Sequence, residues 1–258
     1  MEPVLLDREG PVAWLTLNRP RRRNALSLEV MGAIEKKLTE VEKDESLRVL
    51  VIRGNGPAFC AGHDLSEMVG EEKDFHHYRE IFTVCTEMML HLHRLPQPVI
   101  AQVHGIATAA GCQLVAACDL AVAEESARFA TPGVKIGLFC TTPMVPLVRV
   151  VGRRRALEML VSGRFVGARE ALEWGLVNRV TSLEGLEEEA RRWAEDLAGA
   201  SRFTLAFGKQ AFYRQVDLDE GSAYGYAKEA IAMNCLADDA MEGIGAFLEK
   251  RDPRWRNR

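Results

Sequence analysis

Apolar and polar positions along the first fifty residues follow two periods in turn. Residues 4–6 and 12–17 are apolar runs around Arg8-Glu9-Gly10-Pro11, which predicts a hairpin. Asn18-Arg19-Pro20 ends the second run, and a basic loop follows, Arg21-Arg22-Arg23-Asn24-Ala25-Leu26. Ser27 then stands as an N-cap before Val30, Met31, Ile34, Leu38 and Val41, the spacing of one helix face. Residues 49–52 are continuously aliphatic, as in a strand buried on both faces, and Gly54-Asn55-Gly56-Pro57 breaks them.

The same alternation continues. A helix is predicted over 74–94, stopping before Pro96 and Pro98, and a strand over 99–103 runs into His104-Gly105. A small-residue segment opens a helix near Ala109, and residues 119–123 read as another strand. Helices are expected over 144–151, 153–162, 168–174 and 183–198, with a last strand over 176–180. Strands thus fill the first two thirds, and nearly everything after Gly175 is helix, which predicts an α/β core with a helical C-terminal part. The expected boundary lies near Gly199-Ala200-Ser201, dividing 1–199 from 200–258.

Composition narrows the function classes. With 258 residues the chain can bury a large core without staples, and 47% hydrophobic residues against 27% charged excludes disorder and a fibrous fold. The net charge of −4 argues against a general nucleic-acid binder, which needs a basic face. The most apolar stretch, 99–123, is interrupted by Gln102, His104, Gln113 and Asp119, so no membrane span is expected. Cysteines at 60, 85, 112, 118, 140 and 235 form no CxxC pair, and the first residues carry no apolar signal core. Reduced thiols in a cytoplasmic protein are the resulting expectation.

The chain has no GxSxG elbow, no P-loop and no HExxH helix. All six histidines fall between 63 and 104, but His91 and His93, two apart on a helix, point to different faces. A solvated histidine-rich surface is expected there, and no metal site. Two strand-to-helix loops stand out instead, Phe59-Cys60-Ala61-Gly62-His63-Asp64-Leu65-Ser66-Glu67-Met68 and His104-Gly105-Ile106-Ala107-Thr108-Ala109-Ala110-Gly111-Cys112-Gln113-Leu114. Small residues let a ligand approach the backbone, and a helix start presents unpaired N–H groups. Either loop alone also reads as a tightly packed turn.

Together, in this order, they resemble the crotonase (enoyl-CoA hydratase/isomerase) superfamily. The resemblance runs from Leu17-Asn18-Arg19-Pro20…Asn24-Ala25-Leu26 to Phe247-Leu248-Glu249-Lys250-Arg251, through Gly111-Cys112-Gln113-Leu114…Cys118-Asp119 and Ala168…Ala171…Gly175-Leu176-Val177. Phe129-Ala130-Thr131-Pro132-Gly133-Val134…Gly137-Leu138-Phe139-Cys140 and Ala109-Ala110-Gly111-Cys112-Gln113 look most like its branch of enoyl-CoA hydratase domain-containing proteins.

The resemblance implies a spiral of ββα units followed by a C-terminal helical segment that builds trimers, or dimers of trimers. It implies an acyl-CoA ligand of fatty-acid metabolism, with coenzyme A thioester as substrate, no metal and no covalently bound cofactor. Its shared device is an oxyanion hole of two backbone N–H groups, here at His63 and Ala110, that holds a thioester carbonyl as it becomes an enolate. The side chains at those positions do not disqualify the hole, although Ala110 stands where Gly is usual, which directs attention to its φ. Arg23, Ala25 and Leu26 match the CoA loop. Phe247 and Lys250 match the adenine and phosphate contacts of a C-terminal helix that can come from a neighbouring subunit. Ala61, Asp64, Leu65 and Gly111, beside the donors, and Cys140 and Thr141, near the acyl group, complete the implied substrate set.

The departures bear on the reaction. Hydratases of this family use two glutamates, and this chain has Gln113 and Gly133 at those positions. Gln does not titrate near pH 7 and Gly has no side chain. Positioned acids and bases contribute about 10²–10⁴-fold each, so glutamate-dependent hydration is expected weak or absent. Thr141, at a position where the resemblance places a second acid in dienoyl-CoA isomerases, is not acidic either, and Cys140, Thr142 and the His63 side chain, the other candidate substitutes, read as pocket lining before catalysts. Cys112 and Cys118 read as core, and Asp64 and Asp119 as braces of their loops. Two functions stay open: an enzyme working mainly by enolate stabilisation, and a non-catalytic acyl-CoA binder or assembly partner.

Overall fold

The computed structural model describes residues 2–70 and 73–258. Strand β1 (Val4–Glu9) turns at Gly10 (φ +56°) into β2 (Val12–Leu17) as an antiparallel hairpin. Helix α1 (Leu28–Lys43) begins at Ser27, whose side chain accepts the N–H of Val30. Its five buried residues are the five that the apolar spacing picked out. Then come β3 (Val49–Gly54), α2 (Phe75–Arg94), β4 (Val99–Val103), β5 (Ile106–Thr108), α3 (Ala110–Ala117), β6 (Leu120–Glu124) and β7 (Arg128–Ala130). The chain continues through α4 (Met144–Val151), α5 (Arg153–Ser162), β8 (Val166–Gly167), α6 (Ala168–Trp174) and β9 (Arg179–Thr181). It ends in α7 (Leu186–Ala198), α8 (Arg202–Gln215), α9 (Glu220–Asn234) and α10 (Asp238–Glu249).

Two sheets result. The larger runs β1-β2-β3-β4-β6-β9, parallel from β2 onward, and the smaller runs β5-β7-β8. Alternation along each central strand feeds two cores. Leu50, Ile52, Ala101 and Val103 face the core under α1, α2 and α3, while Val49, Val51, Ile100 and Trp14 face Trp193 and Ala194 of α7. Single bridges Cys60–Ala107 and Leu26–His63 extend the smaller layer.

Three expectations change. Residues 176–180 are not a strand: the N–H groups of Leu176 and Val177 both bond to the Ala171 carbonyl and close α6, so pairing starts at Arg179. The helix expected over 183–198 starts at Leu186. Nor is the histidine segment a solvated surface throughout, although His76 is exposed. His91 is buried with Nδ1 2.7 Å from a Glu35 carboxylate oxygen, His93 stacks on Tyr213, and His104 bonds to the Gly56 carbonyl. Among the described residues no group of three His, Cys, Asp or Glu is placed to hold a metal. No described helix is long and apolar enough to cross a membrane.

The C-terminal helices are fastened to the core by one charged cluster. Lys209 of α8 donates to the carbonyls of Leu92 (2.7 Å) and Gln97 (2.9 Å), and its Nζ lies 2.7 Å from Asp119 Oδ2. Asp119 also accepts from the Val99 N–H and the Tyr213 hydroxyl. Every polar group there is paired, as a buried charge requires, and Asp119 is the brace the sequence suggested.

Candidate active site

The loop 59–64 lies directly on the start of α3. Cys60 accepts from the Thr108 N–H and donates to the Ile106 carbonyl, and the Thr108 hydroxyl bonds to the Ala61 carbonyl (3.0 Å). The approach needs glycine twice. A Cβ on Gly111 would sit 2.1 Å from the Cys60 oxygen, and Gly62 holds φ +97° with its missing Cβ 2.9 Å from Ala109. The main-chain strain lies one residue before the expected place. Ala109 takes φ +50°, ψ −117°, whereas Ala110 begins the helix.

This packing sets two amides apart. The Leu26 N–H bonds to the Gly62 carbonyl and the Asp64 N–H to the Leu26 carbonyl, so the intervening His63 N–H points the other way. Ala110 is the first residue of α3, where an N–H has no intrahelical acceptor. Among the described residues neither N–H has a hydrogen-bond acceptor. Both residues line one pocket of about 550 Å³, walled by Leu65, Met68, Phe82, Ile136, Leu138 and Phe139.

The structure gathers part of the predicted set. Ala61, His63, Leu65, Ala110, Gly133, Cys140, Thr141 and Thr142 line the pocket. Gly111 lies behind it, supporting the loop. Asp64 turns away: its carboxylate accepts the Ser66 N–H and hydroxyl and meets Arg19 at 3.3 Å, and these partners hold its pKa below the usual value. Arg19, which the motif reading passed over, also donates to the Ala25 carbonyl and the Ser27 hydroxyl, tying the basic loop to the His63 loop. Arg23 (φ +48°) is exposed, and its carbonyl accepts the Ala61 N–H. Ala25 is half-buried and Leu26 buried beside that loop. Phe247 is 82% exposed, and neither it nor Lys250 lines this chain's pocket.

The two positions at which the resemblance expects glutamate differ from each other. Gln113 is buried in α3 with its side-chain oxygen unpartnered. At Gly133 a Cβ would meet the Leu138 carbonyl oxygen at 2.8 Å and Cys140 Sγ at 2.9 Å, so the following loop occupies the space a side chain would need. No carboxylate lines the pocket among the described residues. Its titrating groups are His63, Lys135 and Cys140. Burial pushes the His63 imidazole below, and the Cys140 thiol above, their ordinary values. Cys60 and Cys112 are core thiols pushed up to about 12 by burial.

Phe82 was not foreseen as a pocket residue, and Met68 stood in the singled-out loop without an assigned role. Phe82 comes from α2, far along the chain, and local periodicity carries no sign of which loop a helix face will meet.

Known proteins resemble this geometry throughout. The enoyl-CoA hydratase/isomerase family model matches residues 7–258. The rat mitochondrial enoyl-CoA hydratase domain-containing protein 3 is 47% identical across 93% of this chain and 80% of its own length, and the human protein 45% across 93% and 79%. A crystal structure of an enoyl-CoA hydratase from Mycobacterium smegmatis is 49% identical, with TM-score 0.95 over 98% of both chains. That of human enoyl-CoA hydratase domain-containing protein 3 is 43% identical, with TM-score 0.95 over 98% of this chain and 100% of that one. These matches correct the cytoplasmic expectation, because the rat, mouse and human relatives are named mitochondrial. The free thiols from which that expectation was drawn do not separate the cytosol from a mitochondrial matrix. On its fold, on the branch-specific residues around Gly111 and Gly133, and on similarity over nearly its whole length, the chain belongs to the crotonase, or enoyl-CoA hydratase/isomerase, family.

Proposed function

We propose that the chain binds an acyl-CoA thioester with its carbonyl oxygen between the N–H groups of His63 and Ala110, and stabilises the enolate formed from it. The observation that carries this reading is the pair of acceptor-free amides, from two separate loops, opening on one apolar pocket. Fixed donors aimed at developing charge act most strongly in such a water-poor site, where one donor is worth about 10²–10³ in rate. Hydration through two glutamates is not part of the proposal, since Gln113 and Gly133 stand at those positions and the space at Gly133 is filled.

The CoA portion would run over Arg23 and Ala25, with Leu26, fully buried and bonded to the 62–64 loop, supporting them from beneath. Phe247 and Lys250 would act on a neighbour's ligand rather than their own. Ile231, Leu236, Ile244, Phe247 and Leu248 are all more than half exposed on α9, α10 and their junction, which supports a role for 200–258 in assembling a trimer or a dimer of trimers. A non-catalytic acyl-CoA binder is the second reading, favoured by a pocket without a carboxylate.

A crystal soak with acetoacetyl-CoA tests the proposal. The expected result places the thioester oxygen within hydrogen-bond distance of both amides. A thioester lodged elsewhere, or no thermal shift with any acyl-CoA, overturns it. Turnover of a broad acyl-CoA panel then separates the enzyme from the binder.

A further inference from the structure

We propose that the His63 imidazole carries the proton transfer at the carbon next to the thioester carbonyl, in the role a carboxylate would otherwise fill. The proposal rests on the acyl-CoA reading above. Both ring nitrogens of His63 are buried, and no hydrogen bond of ordinary geometry reaches them although the Leu26 backbone lies beside the ring, an arrangement that costs stability and calls for a function or a ligand. The ring is not loose. Its backbone is pinned on both sides to Leu26, and the edge of Phe82 meets it at 5.3 Å and 90°. His63 lines that pocket, so its amide and its imidazole both border one bound group.

The alternatives around it are poorer. Thr141 and Thr142 are hydroxyls that do not accept a proton at neutral pH. Cys140 is partly shielded, its thiol is pushed up by burial, and it takes the Gly133 N–H. Lys135 is exposed. Asp64 is bound to Ser66 and Arg19. Burial keeps the imidazole neutral at pH 7, and a neutral ring accepts a proton.

In the step, the C–H bond next to the carbonyl breaks and its electron pair moves through carbon to the oxygen between the two amides. The proton passes to the free ring nitrogen. Return of a proton from the imidazolium to the same carbon restores the thioester, and solvent exchange on the ring replaces the isotope. No oxidant or further reactant is needed.

The test is solvent deuterium incorporation into butyryl-CoA, followed by mass spectrometry with the full chain, beside calorimetric binding of the same compound. The parent is expected to exchange the α-hydrogens well above buffer. His63→Gln and His63→Ala, which keep the backbone amide, should bind within about threefold and exchange at least about 100-fold more slowly. Added imidazole should restore part of the exchange in His63→Ala and none in His63→Gln, a response that a merely structural ring would not produce. Exchange at the parental rate in His63→Gln, or a parent that binds butyryl-CoA and does not exchange it, overturns the role of the ring. A parent that binds no butyryl-CoA overturns the acyl-CoA reading, and this proposal with it.

Discussion

Replacing Gly111 by Ala adds one carbon where the structure has no room for it. The new Cβ would stand 2.1 Å from the Cys60 oxygen, 2.8 Å from its carbonyl carbon and 2.9 Å from its Cβ. Two of these neighbours are backbone, so loop 59–64 must retreat by about 1 Å to reach ordinary contact. Retreat loosens the Cys60–Ile106, Thr108–Cys60 and Thr108–Ala61 hydrogen bonds, each worth about 0.5–1.5 kcal/mol net. Overpacking in a tight core costs about 1–3 kcal/mol by itself. Against this, Ala gains about 1 kcal/mol over Gly in a helix. The balance is a loss of about 2–3 kcal/mol, and at about 2–4 °C per kcal/mol for a chain this size the Tm should fall by about 4–12 °C. The control is Gly32→Ala in α1, where nothing lies within 4 Å and the same propensity gain should raise Tm by about 1–4 °C. Differential scanning calorimetry of both variants, with acetoacetyl-CoA titrated into each, is the assay. A Gly111→Ala protein that melts with the parent and binds equally well would refute the claim that the loop rests on the helix start.

Other expectations follow from the same geometry. Gln113→Glu with Gly133→Glu should fail to give rapid hydration of crotonyl-CoA, because the Leu138 carbonyl fills the space at 133; efficient turnover would show that the loop yields freely. His63 has a folded pKa below the ordinary 6.5, so below pH 6.5 the unfolded chain binds a proton the native state resists, and stability falls with pH through that window. His93 shifts the same way, so Tm measured from pH 7.5 to 5 should fall less steeply in His63→Gln without becoming flat. Lys209→Met leaves Asp119 with only the Val99 N–H and Tyr213 hydroxyl, and chemical denaturation should report a loss of about 3 kcal/mol, the lower end for breaking a buried ion pair.

The sequence was informative where one element decides its own burial. The face of α1 and the two-sided burial of β3 follow from spacing alone. Strands β5, β7 and β8 span only two or three residues and exist because partners far along the chain meet them. No periodicity can register in so short a run. Leu176 and Val177 are apolar and buried as a strand would be, yet their amides serve the end of α6. The candidate site divides in the same way. Small residues in two loops mark where backbone and ligand can meet, whereas the walls from Phe82 and Met68 depend on how α2 lies. Gly133 is the sharpest case: the letter records only that no side chain stands there, and the fold reveals that a carbonyl has taken the space.

The two acceptor-free amides belong to the main chain, and this alters how the site would look to a mutational survey. An alanine scan trims side chains and leaves every N–H in place, so across 59–64 and 108–114 it would pass over position 110 unchanged. Apart from His63, whose ring it would remove, the scan would respond at Gly62 and Gly111, where it adds matter instead of removing it. The region would then be scored as a fragile turn. Information about a backbone site resides in the residues that keep out of its way, and it is read by enlarging them.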